Sequence, residues 1–344
     1  MYNTGFGKFS GYTYENMKND LELFEKIFPE NLEVDSLGKT ADEREIFHLV
    51  AGRKEAEDKV LIFGGIHGRE YMTSQLIMEQ TAEFLSAVSK GRKSSRGESY
   101  ETLLEGKAIH IVPMANPDGV TISQLGPGGI RNKKIRELVW QIAKEEGGRL
   151  PCGPYFTRWK ANARGVDLNR NFDAQWEIYE DMKGKPSSRQ YKGRAPECEA
   201  ESAALAELTR RERFKRTVSY HSSGAVIYWN FGQVGELYRQ SRRFAGRIAA
   251  ATGYDLEESY DSLDPAGYKD WALQKMQIPS ITIEIGRAGS PLPACCFREI
   301  LRENRTVWEE TLYSITEEKE SRKKGRNREK ELPGHRAAPK KGED

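Results

Sequence analysis

An α/β fold is the class this sequence predicts, and three observations carry it. Short apolar runs rich in β-branched residues alternate with stretches of helical periodicity, first over residues 14–119 and again from about residue 197. Several of these runs close on glycine, as strands do where the chain has to turn. With 344 residues, 37% of them hydrophobic, one large domain can bury a substantial core.

The first element is an amphipathic helix over residues 14–28, where Met17, Leu21, Phe24 and Ile27/Phe28 recur at helical spacing before Pro29 stops it. Two strands follow, REIFHLVAG and DKVLIFGGIHG, each ending in glycine. A second helix is expected over about residues 73–88, and KAIHIVPMANPDG is a third strand closed by an Asn-Pro-Asp-Gly turn. Residues 121–198 look irregular, rich in Gly, Pro and basic residues around the phrase GVDLNRNFD; a connection of that length inside a compact domain is usually functional. Regularity returns with a helix over 197–211, the strand RTVSYHSSG, a helix over 234–252, the strand SITIEIG and a last helix over 297–316. Residues 317–344 are nearly devoid of apolar side chains and are expected to form a disordered tail after a catalytic domain spanning 1–316.

Composition narrows the function. The formal net charge is +2, and ten Lys/Arg against seven Asp/Glu in residues 317–344 place the basic excess in the tail, so no field strong enough to imply nucleic acid exists. No apolar run is long enough to cross a bilayer, and the opening segment lacks the basic start and apolar centre of a secretory signal. A cytoplasmic location is the expectation. The four cysteines form no CxxC pair and are expected to be reduced thiols.

Five histidines can be weighed one by one. His48 and His110 lie inside apolar strand runs and His335 in the tail, so structural or solvent roles suit them. His67 and His221 instead come at the ends of β-runs, and Glu284 holds the same kind of place in SITIEIG. A carboxylate among isoleucines is costly unless it is paired, solvated in a cleft or working beside a metal. Open α/β sheets bind ligands outside the carboxyl ends of their strands, so three strand ends deliver His67, Glu70, His221 and Glu284 to one crevice. Two neutral imidazoles and one carboxylate make a three-ligand zinc site that leaves a position open, and one Zn2+ per chain is expected. Zinc would polarise a carbonyl and lower the pKa of water while Glu284, outside the ligand set, moves the proton. His67-Gly-Arg-Glu70 alone is a weak motif; its companions give it weight.

Taken together, His67-Gly68-Arg69-Glu70, Asn116-Pro117-Asp118-Gly119, Gly165-Val166-Asp167-Leu168-Asn169-Arg170-Asn171-Phe172, Ser219-Tyr220-His221-Ser222 and Thr282-Ile283-Glu284-Ile285-Gly286 resemble the zinc carboxypeptidases, in the family's order and over about residues 8–316. The resemblance implies a single domain with a mixed, mostly parallel central sheet of about eight strands flanked by helices. It implies zinc ligation by His67, Glu70 and His221, catalysis by Glu284, a grip on a substrate carboxylate by Asn169 and Arg170, and substrate contact from Arg69 farther along the cleft. A guanidinium matches a carboxylate bidentately, which suits Arg170 to that role. Where well-known members carry an arginine that polarises the scissile carbonyl, this chain offers Lys160, with Arg158 as the alternative. For the family's mobile tyrosine, Tyr260 is the better match and Tyr268 the competitor.

Within the family, Trp159-Lys160-Ala161-Asn162, His221-Ser222-Ser223-Gly224 and Tyr268-Lys269-Asp270-Trp271 look most like the bacterial branch that cleaves γ-D-glutamyl-diaminopimelate bonds in peptidoglycan peptides. The expected partner is therefore a peptide substrate, a muropeptide in particular, with Lys269 near the floor of the pocket for the leaving residue. Three other readings stay open: a carboxypeptidase releasing single L-amino acids, a deacylase of N-acyl amino acids, and a catalytically dead peptidoglycan-binding module. Intact Glu284 and all three ligands argue against the last.

Overall fold

The computed structural model describes residues 11–148, 154–259 and 265–331, with side chains as far as residue 320. Eight strands form one sheet: β1 (Leu32–Lys39), β2 (Glu45–Gly52), β3 (Asp58–Phe63), β4 (Lys107–Val112), β5 (Arg216–Ser222), β6 (Val226–Tyr228), β7 (Asp255–Glu257) and β8 (Ser280–Ile285). Their spatial order is β1-β2-β4-β3-β5-β8-β6-β7. The central strands β4, β3, β5 and β8 run parallel, and so do β6 and β7, whereas β1/β2, β2/β4 and β6/β8 pair antiparallel. This is the mixed, mostly parallel sheet that the resemblance implied.

The helices are α1 (Tyr14–Ile27), α2 (Tyr71–Ser89), α3 (Tyr100–Leu104), α4 (Pro117–Leu125), α5 (Lys133–Glu145), α6 (Pro154–Thr157), α7 (Ala200–Glu212), α8 (Gly235–Thr252), α9 (Tyr268–Gln274), α10 (Phe297–Glu303) and α11 (Val307–Glu331). Both sheet faces are covered, which explains why the central strands read as continuous apolar runs instead of alternating. On β3, Val60 and Ile62 pack into a core shared with α1, α2, α8, α10 and α11, while Leu61 and Phe63 face the core beneath α7 and α9. A smaller cluster joins α5, α6 and Trp159.

Four sequence expectations need correcting. The tail does not begin at residue 317, because α11 runs on to Glu331 and its charged side chains have partners on the domain: Glu318 pairs with buried Arg216, Glu317 with Arg247, and Lys319 lies 2.7 Å from Asp58. A charged segment reads as solvated only when its partners are unseen. Residues 332–344, the rest of the expected tail, lie outside the described residues, as does His335. Asn-Pro-Asp-Gly is no turn: the Asn116 side chain accepts from the Gly119 amide at 2.8 Å and caps α4, with Pro117 in the first turn. The supposedly irregular middle contains α5, capped by Asn132 and burying Val139, Ile142 and Ala143. The last helix is two, α10 and α11, separated at Asn304.

The polar edge strand β1 shows no apolar alternation in the sequence, because only Leu32 along it is buried. Three cysteines, Cys198, Cys295 and Cys296, are free thiols, and Cys152 lies outside the described residues. Among the described residues no helix is long and apolar enough to cross a membrane.

Candidate metal centre and substrate cleft

β3 ends at Phe63, and the following loop turns through a short 3-10 segment, Gly68–Glu70, into α2. The loop is pinned from both sides. The Gly68 amide donates to the Lys160 carbonyl at 3.0 Å, and the Asn116 amide group donates to the carbonyls of Ile66 at 3.0 Å and Ala161 at 3.2 Å. A Cβ on Gly68 would come within 2.3 Å of the Gly119 carbonyl oxygen, so glycine is required where the two loops touch. His67 and Glu70 are thereby held at the two ends of the turn.

The second histidine comes from β5. Tyr220 points into the core on the α2 side, so alternation turns His221 to the other face, where it stands in register beside Glu284 of β8. His67 Nδ1 lies 2.9 Å from Glu70 Oε1, and His221 Nδ1 lies 3.1 Å from Glu70 Oε2. One donor atom from each of these three buried residues falls within 4.8 Å of the others. The set is nitrogen, nitrogen and oxygen on converging side chains, which fits a single zinc ion with a position left open. His67 also presents its far ring nitrogen, Nε2, to Asp167 Oδ1 at 3.1 Å, the outer carboxylate that orients a metal-binding imidazole. Asp167 belongs to the phrase GVDLNRNFD, and its one signal in the sequence is its place two residues before Asn169-Arg170.

The mutual charges of these buried groups set their titration. Burial alone would push Glu70 up, yet His67 and His221 hold its carboxyl well below the usual range. Burial raises Glu284, and Glu70 adds to this against the opposing pull of His221. Burial opposes charge on His67, but the Glu70 and Asp167 carboxylates outweigh it and the imidazole is raised. Asp167 is held far down despite its burial, chiefly by His67.

The remaining candidates distribute along a cleft. Lys160 is half-buried next to the Gly68 turn, near enough that its charge acts on His67, Asp167 and Glu284. Arg158 is exposed and lines a separate groove with Tyr155 and Arg189. Asn169 and Arg170 sit on the short turn Leu168–Arg170, where Asn169 Oδ1 accepts from the Tyr268 amide at 3.1 Å. Both line a cavity of about 430 Å³ that also reaches Glu284, Tyr228 and Lys269. Arg69 is partly buried, with its Nε 4.0 Å from Glu70 Oε1. Lys269 donates from Nζ to the Asn230 carbonyl at 3.2 Å and pairs with Asp270. Tyr268 is fully buried, bonded to Thr209 at 2.8 Å and packed on Phe63 and Phe172, so it is a core residue. Tyr260 lies outside the described residues.

A mixed, mostly parallel sheet with two histidines and a glutamate converging at its carboxyl edge defines a zinc-dependent peptidase of carboxypeptidase architecture. The chain belongs to the zinc carboxypeptidase family, whose sequence model matches residues 17–313. It is 30% identical to gamma-D-glutamyl-L-diamino acid endopeptidase 1 of Lysinibacillus sphaericus over 88% of this chain and 72% of that one. Mast cell carboxypeptidase A of Rattus norvegicus is 24% identical over 83% of this chain and 68% of its own length. In fold the chain resembles thrombin-activatable fibrinolysis inhibitor, with a TM-score of 0.70 and 20% identity, over 89% of this chain and 75% of that one.

Proposed function

We propose that this hydrolase cleaves the γ-D-glutamyl-diaminopimelate amide of peptidoglycan-derived peptides, and that His67, Glu70 and His221 are the residues that would hold its zinc ion. The observation that carries the substrate class is the 30% identity, over most of both chains, to a protein named for γ-D-glutamyl-diamino acid bonds. Zinc bound there would supply a Lewis acid for the scissile carbonyl and lower the pKa of water.

The chain's own groups do the rest. Glu284, raised by burial, accepts the proton of the attacking water on its carboxylate and returns it to the leaving amine nitrogen as the C–N bond breaks. Lys160 stabilises the oxyanion as a point charge, a role its nearness to the centre supports over exposed Arg158. Arg170 and Asn169 hold the carboxylate beside the scissile amide, Arg69 contacts the acyl side, and Lys269 faces the distal end of the leaving residue.

The competing reading, an ordinary carboxypeptidase, uses the same catalytic groups and is favoured by the match to mast cell carboxypeptidase A. Incubation with L-Ala-γ-D-Glu-meso-diaminopimelate and, separately, with an N-blocked α-linked L-dipeptide, followed by mass spectrometry, separates them. Release of diaminopimelate is the expected result. Cleavage of the α-linked peptide alone would overturn the assignment.

A further inference from the structure

The leaving-residue cavity carries both signs of charge, arranged by the strand register. Tyr228 of β6 stands opposite Thr282 of β8 and opposite Glu257 of β7, so Thr282, Tyr228 and Glu257 form one row on one face of the sheet. Glu284 is two residues beyond Thr282 and shares that face. All four line the same cavity, with Glu257 two strand spacings, about 10 Å of backbone, from β8.

Glu257 Oε1 accepts from the Ser259 amide at 2.8 Å and from its hydroxyl at 2.5 Å, and both bonds favour the ionised carboxylate. Among the described residues it has no cationic partner, whereas its neighbour Glu258 pairs with Arg242 at 2.9 Å. Lys269 is the reverse case. Its charge is compensated by Asp270, and among the described residues Asp270 and Asn230 take two of the ammonium's three donors, with the Phe231 ring 5.4 Å away. With Arg170 and Asn169 taken by the carboxylate beside the scissile amide, a distal carboxylate arriving alone would find one hydrogen bond from Lys269 and an opposing carboxylate. An ammonium arriving alone would find Glu257 but leave the Lys269 donor unused.

We propose that this cavity reads a zwitterion, with Glu257 taking an ammonium and Lys269 a carboxylate at the distal end of the leaving residue. The inference rests on the γ-D-glutamyl-diamino acid reading and deepens it: it names Glu257 as the specificity residue for the distal amine. Diaminopimelate carries both groups there. Lysine is the same skeleton without the distal carboxylate, and 2-aminopimelate is the same skeleton without the distal amine.

The test compares kcat/KM for these three leaving residues on an L-Ala-γ-D-glutamyl carrier and on an α-linked N-acyl-L-alanyl carrier, with zinc content and Tm measured for each variant. For Glu257→Gln, kcat/KM is expected to fall about tenfold on diaminopimelate and lysine and to rise on 2-aminopimelate, because an attraction is lost in the first two and a repulsion in the third. Glu257→Lys should invert the wild-type order of lysine and 2-aminopimelate. Equal effects of Glu257→Gln on all three residues, or none, would overturn the zwitterion reading. A wild-type enzyme that cleaves only the α-linked carrier would instead overturn the γ-glutamyl assignment, and the three ratios on that carrier then decide the fate of Glu257 independently.

Discussion

Glu284 and His221 are neighbours in one register pair of parallel strands, which puts the proposed proton acceptor beside a candidate metal ligand and outside the cluster of His67, Glu70 and His221. Glu284→Gln keeps the shape but cannot accept the proton, so kcat should fall by about 10²- to 10⁴-fold while zinc content stays at one equivalent. Near wild-type turnover in that variant would remove Glu284 from the mechanism. His221→Ala removes a ligand instead, and elemental analysis should find less than half an equivalent of zinc; a full equivalent would refute the site. At this scale the sequence was most legible where a polar residue interrupts an apolar strand end, as at His221 and Glu284, whereas His67 stands four residues past the end of β3. Asp167 and Glu257 gave no comparable signal, because an aspartate in a loop and a glutamate on a short edge strand are ordinary until their neighbours are known.

Elements contribute through contacts that a single residue cannot announce. The turn at Gly68 presses against Gly119 at the start of α4, and this backbone-to-backbone contact aims His67 and Glu70. Gly68→Ala is expected to cost about 1–3 kcal/mol of stability through overpacking and to weaken zinc retention. Gly128→Ala, where a Cβ meets nothing within 4 Å, is the control that should do neither. On the opposite half of the sheet, His48 of β2 and His110 of β4 bond to each other at 3.0 Å in the buried interior. Burial lowers them to about 4 and about 3 from the ordinary 6.5. Unfolded chains take up protons below 6.5 that the folded pair refuses, so their contribution to stability is full above 6.5 and is lost as pH falls towards 3. In His110→Gln the slope of stability against pH over that window should flatten, with kcat unchanged. An unaltered slope would show that other groups set the acid limit.

For the molecule as a whole, the candidate catalytic groups lie towards the carboxyl ends of the parallel strands, while the middle of α11 reaches the strands' opposite ends. Lys319 meets Asp58 at the first residue of β3, and Glu318 meets Arg216 at the first residue of β5. Truncation after Thr316 takes the Glu318 carboxylate away from Arg216, a buried guanidinium that also donates to the carbonyl oxygens of Lys215 and Ser314, and should destabilise the domain by about 3 kcal/mol. Folded molecules should keep kcat/KM on a small peptide, since no cleft residue is touched. Truncation after Glu320 keeps both pairs and should leave Tm near that of the full chain. A collapse of kcat/KM in either truncation, at full folding, would mean that the tail reaches the cleft.

Sequence alone determined the α/β class, because hydrophobic periodicity is local and switches visibly between strand and helix. It also singled out His67, Glu70 and His221, which the fold brings within reach of one ion, and proposed Glu284 beside them, because a carboxylate among isoleucines is costly without a partner. Only the tertiary structure decided that α4 begins at Asn116, that residues 317–331 continue a helix anchored to the domain, and that Tyr268 packs in the core. Those outcomes depend on partners far along the chain, Arg216 for Glu318 and Phe63 for Tyr268, and no local pattern encodes a partner's position. The same reason hid the row of Thr282, Tyr228 and Glu257, which exists only once three separate strands are placed in register.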